Sequence, residues 1–157
     1  MQSGSPVKIL VLHGPNLNLF GRREPHIYGT TTLAQINEKL TVLAGELGVA
    51  VETFQSNHEG ALVDKFHENI DTAAGALLNP AGLTQHGVSL HDAIKAMPFP
   101  VFEIHMSNIA AREAWRVHSI ISPAVRATIQ GLGWRSYTMG LRALVEIVRE
   151  SPVSSAK

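Results

Sequence analysis

Five short apolar runs, separated by segments of helical periodicity, constrain the fold of this chain more than any other feature. They occupy residues 7–12, 49–54, 74–78, 101–105 and 127–130. Each is of ordinary strand length, and several are apolar throughout instead of alternating. That pattern belongs to strands covered on both faces, as in a parallel sheet. Between the first two runs, Leu33, Ile36, Leu40, Leu43 and Leu47 recur at steps of three and four. Thr32 and Gln35 make a capping-box pattern at the start of that segment, and Gly48 is a stop signal. Ser56 and Glu59 read as a second capping box, opening a helix with Leu62, Phe66 and Ile70 inward. A short helix is expected over about 89–97, ending before Pro98. A last one is expected over about 136–149, with Leu141, Leu144, Val145 and Val148 on one face.

Strand and helix alternating in this way predict a doubly wound α/β sheet. For five parallel strands the expected order is flavodoxin-like, 2-1-3-4-5. A chain of 157 residues fits one domain spanning 1–157, with an ordered core of about 7–149 and frayed, Ser- and Pro-rich ends. In such sheets ligands bind beyond the carboxyl ends of the strands. Those ends carry His13, Asn16 and Asn18, then Ser56, Asn57 and His58, then Asn79 and Thr84, then His105, Ser107 and Asn108. Turn and capping needs account for part of this, Ser56 above all. They account less well for His105, which ends an otherwise apolar strand. A histidine there is either a satisfied core residue or a catalyst. Glu103, two residues earlier, points to the same sheet face and can orient the imidazole. The bland alternative is a surface ion pair on an edge strand.

Composition narrows the chemistry. Thirteen basic and thirteen acidic residues give a formal net charge of +0, so no global field draws the chain to nucleic acid or an anionic membrane. With no cysteine, thiolate metal sites and a cysteine nucleophile are excluded. No apolar run approaches the roughly 20 residues of a membrane span. The first residues lack the basic and apolar regions of a secretory signal, so a cytoplasmic location is expected. Dinucleotide, P-loop, nucleophile-elbow and H-E-x-x-H motifs are absent, and the eight histidines do not fall at metal spacing on one helix. His91 and His118 read as ordinary surface or capping residues.

The segment from Gly21 to Gly29 is punctuated by Gly21, Pro25 and Gly29, which argues against helix and for a lid. It holds Arg22, Arg23 and Tyr28. A tyrosine acting as base needs its pKa lowered from ~10, and a nearby guanidinium, which cannot lose its own proton, stabilises the phenolate. The alternative is a solvated Arg-Arg pair beside a packing tyrosine.

Five segments in register carry a family resemblance: Leu12 to Leu19 (LHGPNLNL), Arg23 to Gly29 (REPHIYG), Gln55 to Gly60 (QSNHEG), Glu103 to Asn108 (EIHMSN) and Ala111 to Glu113 (ARE). They resemble the type II 3-dehydroquinate dehydratases over roughly residues 7–145. The resemblance implies a cofactor-free, metal-free lyase that removes water from 3-dehydroquinate through an enolate. It implies Tyr28 as the base, Arg23 as its activator and His105 as the general acid. Asn16 would hold the oxygen or water that stabilises the enolate, and Glu103 would orient His105. Asn79, Asp92, Met106, Ser107 and Arg116 match substrate contacts, with Asp92 reaching in from a neighbouring subunit of a dodecamer of trimers. One departure stands out. The family's Thr-His-Thr-Ser run is Thr84-Gln85-His86-Gly87 here, so Gln85 replaces the usual substrate-binding histidine unless His86 takes its place. His91 likewise stands where arginine is common. The competing readings are a flavodoxin-like binding module and a catalytically lapsed relative.

Overall fold

The computed structural model describes residues 4–151. Most of the two ends expected to fray lies outside these residues. The five strands are β1 (Lys8–His13), β2 (Ala50–Gln55), β3 (Gly75–Asn79), β4 (Val101–His105) and β5 (Ala127–Gln130). They form one parallel sheet in the order β2-β1-β3-β4-β5, as the pattern predicts. The first three strands begin and end one residue later than the apolar runs. The ladder carries on through polar residues, since His13 pairs in register with both Gln55 and Asn79. Three polar side chains are thereby held by the sheet itself at its carboxyl rim.

The helices are α1 (Pro25–Tyr28), α2 (Leu33–Leu47), α3 (Glu59–Glu68), α4 (Val88–Ala96) and α5 (Arg135–Glu150). Two apolar layers cover the sheet. Ile9, Val11, Leu77, Phe102 and Ile104 pack against α2 and α5 through residues such as Leu40, Leu43, Leu141 and Leu144. Leu10, Leu12, Ala76, Leu78 and Val101 pack against α3 and α4 through Leu62, Phe66, Leu90 and Ile94. Because side chains alternate along a strand, Glu103 and His105 share the α3–α4 face with Val101, whereas His13 shares the α2–α5 face with Val11.

The α2 capping box is present, with Thr32 and Gln35 bonded reciprocally and Gly48 left-handed at the end. The second capping box is not. His58 is the N-cap of α3 without a side-chain bond. Ser56 Oγ instead accepts from the backbone N–H of His58 at 3.0 Å, closing a turn before the helix. Glu59 reaches across to accept from the backbone N–H of Leu90 at 3.0 Å, supplying α4 with the cap that Gly87 lacks. Tertiary capping has outcompeted the local motif. Ile70 lies beyond the end of α3 and is exposed. The lid also departs from expectation: residues 25–28 make one helical turn. Pro25 occupies the first helical position, where its missing N–H costs nothing, and Gly29 ends the turn at φ 78°.

Gly14 shows how closely the rim is packed. A Cβ at this position would lie 2.5 Å from the carbonyl oxygen of Pro80 and 2.8 Å from its carbon. Gly14 N also donates to Asn79 O at 2.8 Å. Gly14→Ala is expected to push the ends of β1 and β3 apart. That should cost about 2 kcal/mol of stability, read in urea unfolding, and reduce activity as well.

Candidate active site

One narrow pocket, about 40 Å³, opens at the carboxyl rim and is lined by residues from four parts of the chain. The lid gives Arg23 and Tyr28; the end of β3 and its following turn give Asn79 and Gln85. The end of β4 gives His105, Met106 and Ser107, and the next loop gives Arg112 and Arg116. A wider cleft, about 780 Å³ between α2 and α5, lies on the outer helical surface and includes none of these groups.

The phenol is fixed from both sides, by the lid and by the loop after β4. The Tyr28 ring packs against Phe20, with centroids 5.9 Å apart. The guanidinium of Arg23 sits 5.1 Å from the ring centroid and that of Arg112 sits 5.4 Å away. Only Arg112 is hydrogen-bonded to the phenol oxygen, its Nη1 donating at 3.0 Å and also reaching Ser107 Oγ at 3.3 Å. The sequence places Arg23 in that role. In the structure Arg23 lies over the ring face, with its Nε 3.5 Å from the Glu24 carboxylate. The reason is geometric: one helical turn separates residues 23 and 28, so the arginine meets the ring instead of its tip. Arg112 arrives from the loop after β4, 84 residues away in sequence. The Ala111-Arg112-Glu113 motif supplies this guanidinium, a task that no local pattern around residue 112 reveals.

The imidazole of His105 is held from behind. Its Nε2 lies 2.6 Å from Glu103 Oε1. Ser119 Oγ donates to the same oxygen at 2.7 Å, and Ser122 Oγ donates to Oε2 at 2.6 Å. Ser119 Oγ already accepts from the backbone N–H groups of Ile121 and Ser122, which leaves its proton for Glu103. Burial pushes the Glu103 carboxyl up. Hydrogen bonds from His105, Ser122 and Ser119, with the charge of His105, outweigh this and hold its pKa below the ordinary carboxylate value. Glu103 is 0% exposed on a strand between β3 and β5, so the alternative of a surface pair on an edge strand does not apply. An ionised acceptor bonded to Nε2 leaves Nδ1 as the ring nitrogen for a transferable proton. Ser119 and Ser122 were not found in the sequence, because nothing local connects them to β4.

The remaining candidates divide. Asn79, Gln85, Met106, Ser107 and Arg116 line the pocket. Gln85 Nε2 donates to the backbone oxygen of Arg116 at 3.0 Å, which fixes its side chain there. His86 is exposed and does not line the pocket, whereas Gln85 does. Arg116 packs 4.0 Å above the Trp115 ring centroid, with its Nε 2.9 Å from the Glu113 carboxylate. Asn16 is exposed, left-handed at φ 68°, and donates its backbone N–H to Asn57; it does not line the pocket. Asp92 also stands away from it, on α4, with a side chain 72% exposed and 2.9 Å from His91 Nδ1.

Beneath the pocket lies a second buried polar cluster. His13 Nδ1 is 3.1 Å from the Tyr137 hydroxyl, and its Nε2 is 2.9 Å from Asn37 Oδ1. Burial drives the pKa of His13 down to about 4, only partly opposed by the Asn37 hydrogen bond, and pushes that of the Tyr137 phenol well above its ordinary value. Unfolded His13 takes up a proton below pH 6.5, whereas the folded chain resists until about pH 4. In that window the unfolded state binds more protons, so the contribution is full above pH 6.5 and is lost as pH falls. At ~1.4 kcal/mol per unit the loss approaches about 3 kcal/mol at pH 4. Glu103 acts in the same direction at lower pH, its contribution disappearing as pH falls through its depressed folded value. Urea midpoints measured from pH 7 to pH 4 should fall steeply, and His13→Gln should flatten the slope.

The chain matches the family described as dehydroquinase class II over residues 7–145. It is 49% identical over 150 residues to a 3-dehydroquinate dehydratase from Desulforudis audaxviator, covering 96% of this chain and 100% of the relative. A 3-dehydroquinate dehydratase from Nostoc sp. is 51% identical over 140 residues, covering 89% and 95%. Among solved structures, type II dehydroquinases from Propionibacterium acnes and Butyrivibrio crossotus each superpose with a TM-score of 0.87. Their identities are 40% and 35%; the matches cover 92% and 90% of this chain and 99% of each structure. Five parallel strands with a tyrosine and a histidine lining one pocket at the carboxyl rim, in a chain so similar to these enzymes, define an α/β lyase. The chain is a member of the class II dehydroquinase family.

Proposed function

We infer that this chain is a hydro-lyase that converts 3-dehydroquinate to 3-dehydroshikimate by anti elimination through an enolate. The observation that carries the reading is the convergence of Tyr28 and His105 on one pocket. A guanidinium is bonded to the phenol and an ionised carboxylate to the imidazole. The Tyr28 phenolate takes the proton next to the ketone, and the C–H pair becomes the enolate. Collapse of the enolate breaks the bond to the β-hydroxyl, which leaves as water with the proton from His105. Arg112 and Arg23 meet the phenolate charge, and solvent resets both residues. Such positioned transfers supply about 10²–10⁴-fold each, and donors aimed at the enolate oxygen add about 3–4 kcal/mol.

Asn79, Gln85, Arg116 and the backbone of Met106 and Ser107 hold the substrate, while Asn16 and His86 contribute only if the lid rearranges on binding. Asp92 completes a neighbouring site in a homo-oligomer, a dodecamer built from trimers. Support comes from its exposure and from Val88, one helical turn before it and 61% exposed. The chain acts as a single catalytic domain in the cytoplasm, in the shikimate pathway or in quinate breakdown. Among the described residues no helix is long and apolar enough to cross a membrane.

The test is a continuous ultraviolet assay for the conjugated enone, run with 3-dehydroquinate. A rise in absorbance that scales with enzyme supports the assignment. A folded, oligomeric protein that produces none would mark the chain as a lapsed relative.

A further inference from the structure

The rim of the sheet holds a polar relay that the elimination itself does not use. Its members are Asn37 on α2, His13 on β1, Tyr137 on α5 and Asn79 on β3, and the last of these lines the pocket. With Asn37 presenting its Oδ1 to His13 and Asn79 its Nδ2 to Tyr137, each link has one direction. Asn37 Oδ1 can only accept, so His13 Nε2 carries the proton of the neutral ring. His13 Nδ1 must then accept, and the Tyr137 hydroxyl donates to it at 3.1 Å. With its single proton spent, the Tyr137 oxygen accepts from Asn79 Nδ2 at 3.0 Å. Asn79 Oδ1 accepts from the backbone N–H of Ala81 at 3.1 Å. A reversed carboxamide would set its oxygen against the Tyr137 lone pairs and its NH₂ against the Ala81 N–H.

We propose that Tyr137, backed by His13 and Asn37, is a positioning residue that locks the Asn79 carboxamide so that its second N–H is presented to the pocket as a donor. The proposal rests on the dehydration reading, in which Asn79 meets an oxygen of the bound hydroxy-ketone. Three observations support it. His13 and Asn79 are register partners on adjacent strands, so the sheet sets their spacing. Tyr137 and His13 are both 0% exposed, and the two rings pack with centroids 5.4 Å apart, so water does not substitute for a missing partner. Neither side chain changes protonation near neutral pH, since burial holds the histidine neutral and the phenol protonated. A buried network with every link satisfied specifies one arrangement, and that is what a substrate-facing amide needs.

A double-mutant cycle between Tyr137→Phe and Asn79→Ala tests the proposal in the dehydration assay. Tyr137→Phe is expected to raise KM about 10-fold and to change kcat less than about 3-fold. Asn79→Ala is expected to lose more. The double variant should match Asn79→Ala, because Tyr137 acts through Asn79 and has nothing left to position. Losses that multiply in the double variant, or an unchanged KM in Tyr137→Phe, would overturn the role. Should Tyr137→Phe fail to fold, Asn37→Ala, at a half-buried position on the helix, enters the same cycle with a smaller KM effect and the same expected non-additivity. A wild type without activity would sink the dehydration reading instead. The relay is then read without substrate from the ¹⁵N resonances of His13. An Nε2-protonated neutral ring down to about pH 5 supports it, and an Nδ1-protonated ring defeats it.

Discussion

Tyr28→Phe is expected to lower kcat by about 10²–10⁴-fold with little change in stability, because it removes the oxygen proposed to take the α-proton. The ring stays in place: its contacts with Phe20 and with the two guanidinium groups involve the ring face and edge, which phenylalanine keeps. What disappears is the oxygen that accepts from Arg112. The same geometry ranks the two arginines. Arg112→Ala removes the donor that meets the phenolate as its charge appears, along with the tie to Ser107, and should depress kcat strongly. Arg23→Ala removes a group stacked on the ring, so its kcat loss should be smaller unless lid closure redirects it. Stopped-flow and steady-state rates for the three variants, beside urea midpoints, make the comparison. A Tyr28→Phe enzyme within a few-fold of wild type would remove the base from the scheme.

His105→Ala is expected to reduce kcat over a similar range, about 10²–10⁴-fold, by removing the acid proposed to protonate the departing hydroxyl. Stability should change much less than for a broken buried pair, because Ser119 and Ser122 continue to donate to both oxygens of Glu103. Glu103→Ala behaves differently. It leaves the imidazole and two hydroxyls without their acceptor in a site closed to solvent, so it should cost about 3–5 kcal/mol in addition to activity. The pair of variants separates chemistry from support: His105→Ala should give a stable, inactive protein and Glu103→Ala an unstable one. Small-molecule imidazole restoring part of the rate in His105→Ala would identify the lost group as a proton donor. Full activity without any imidazole would exclude His105 from the reaction.

Gln85, proposed above to hold substrate, stands apart from the groups proposed for proton transfer. Gln85 still offers a donor and an acceptor, but its Nε2 is committed to the backbone of Arg116. A glutamine also carries no charge at any pH. Its influence therefore falls on KM, not on the proton transfers assigned to Tyr28 and His105.

The alternation of apolar runs with periodic helices determined the sheet, its order and the edge where chemistry gathers. Burial on both faces forces predominantly apolar strands, and that demand is written locally in 7–12, 74–78 and 101–105. Glu103 and His105 were legible as a pair for the same reason, since a strand repeats its facing every second residue. Single peptides could not show which groups meet from distant segments. Arg112 bonded to the Tyr28 phenol, Ser119 and Ser122 fixing Glu103, Glu59 capping α4, and Tyr137 joining His13 to Asn79 all depend on loops and helices arriving at one point. Hydrogen bonds act over about 3 Å, and only the packed chain brings residues so far apart in sequence within that reach.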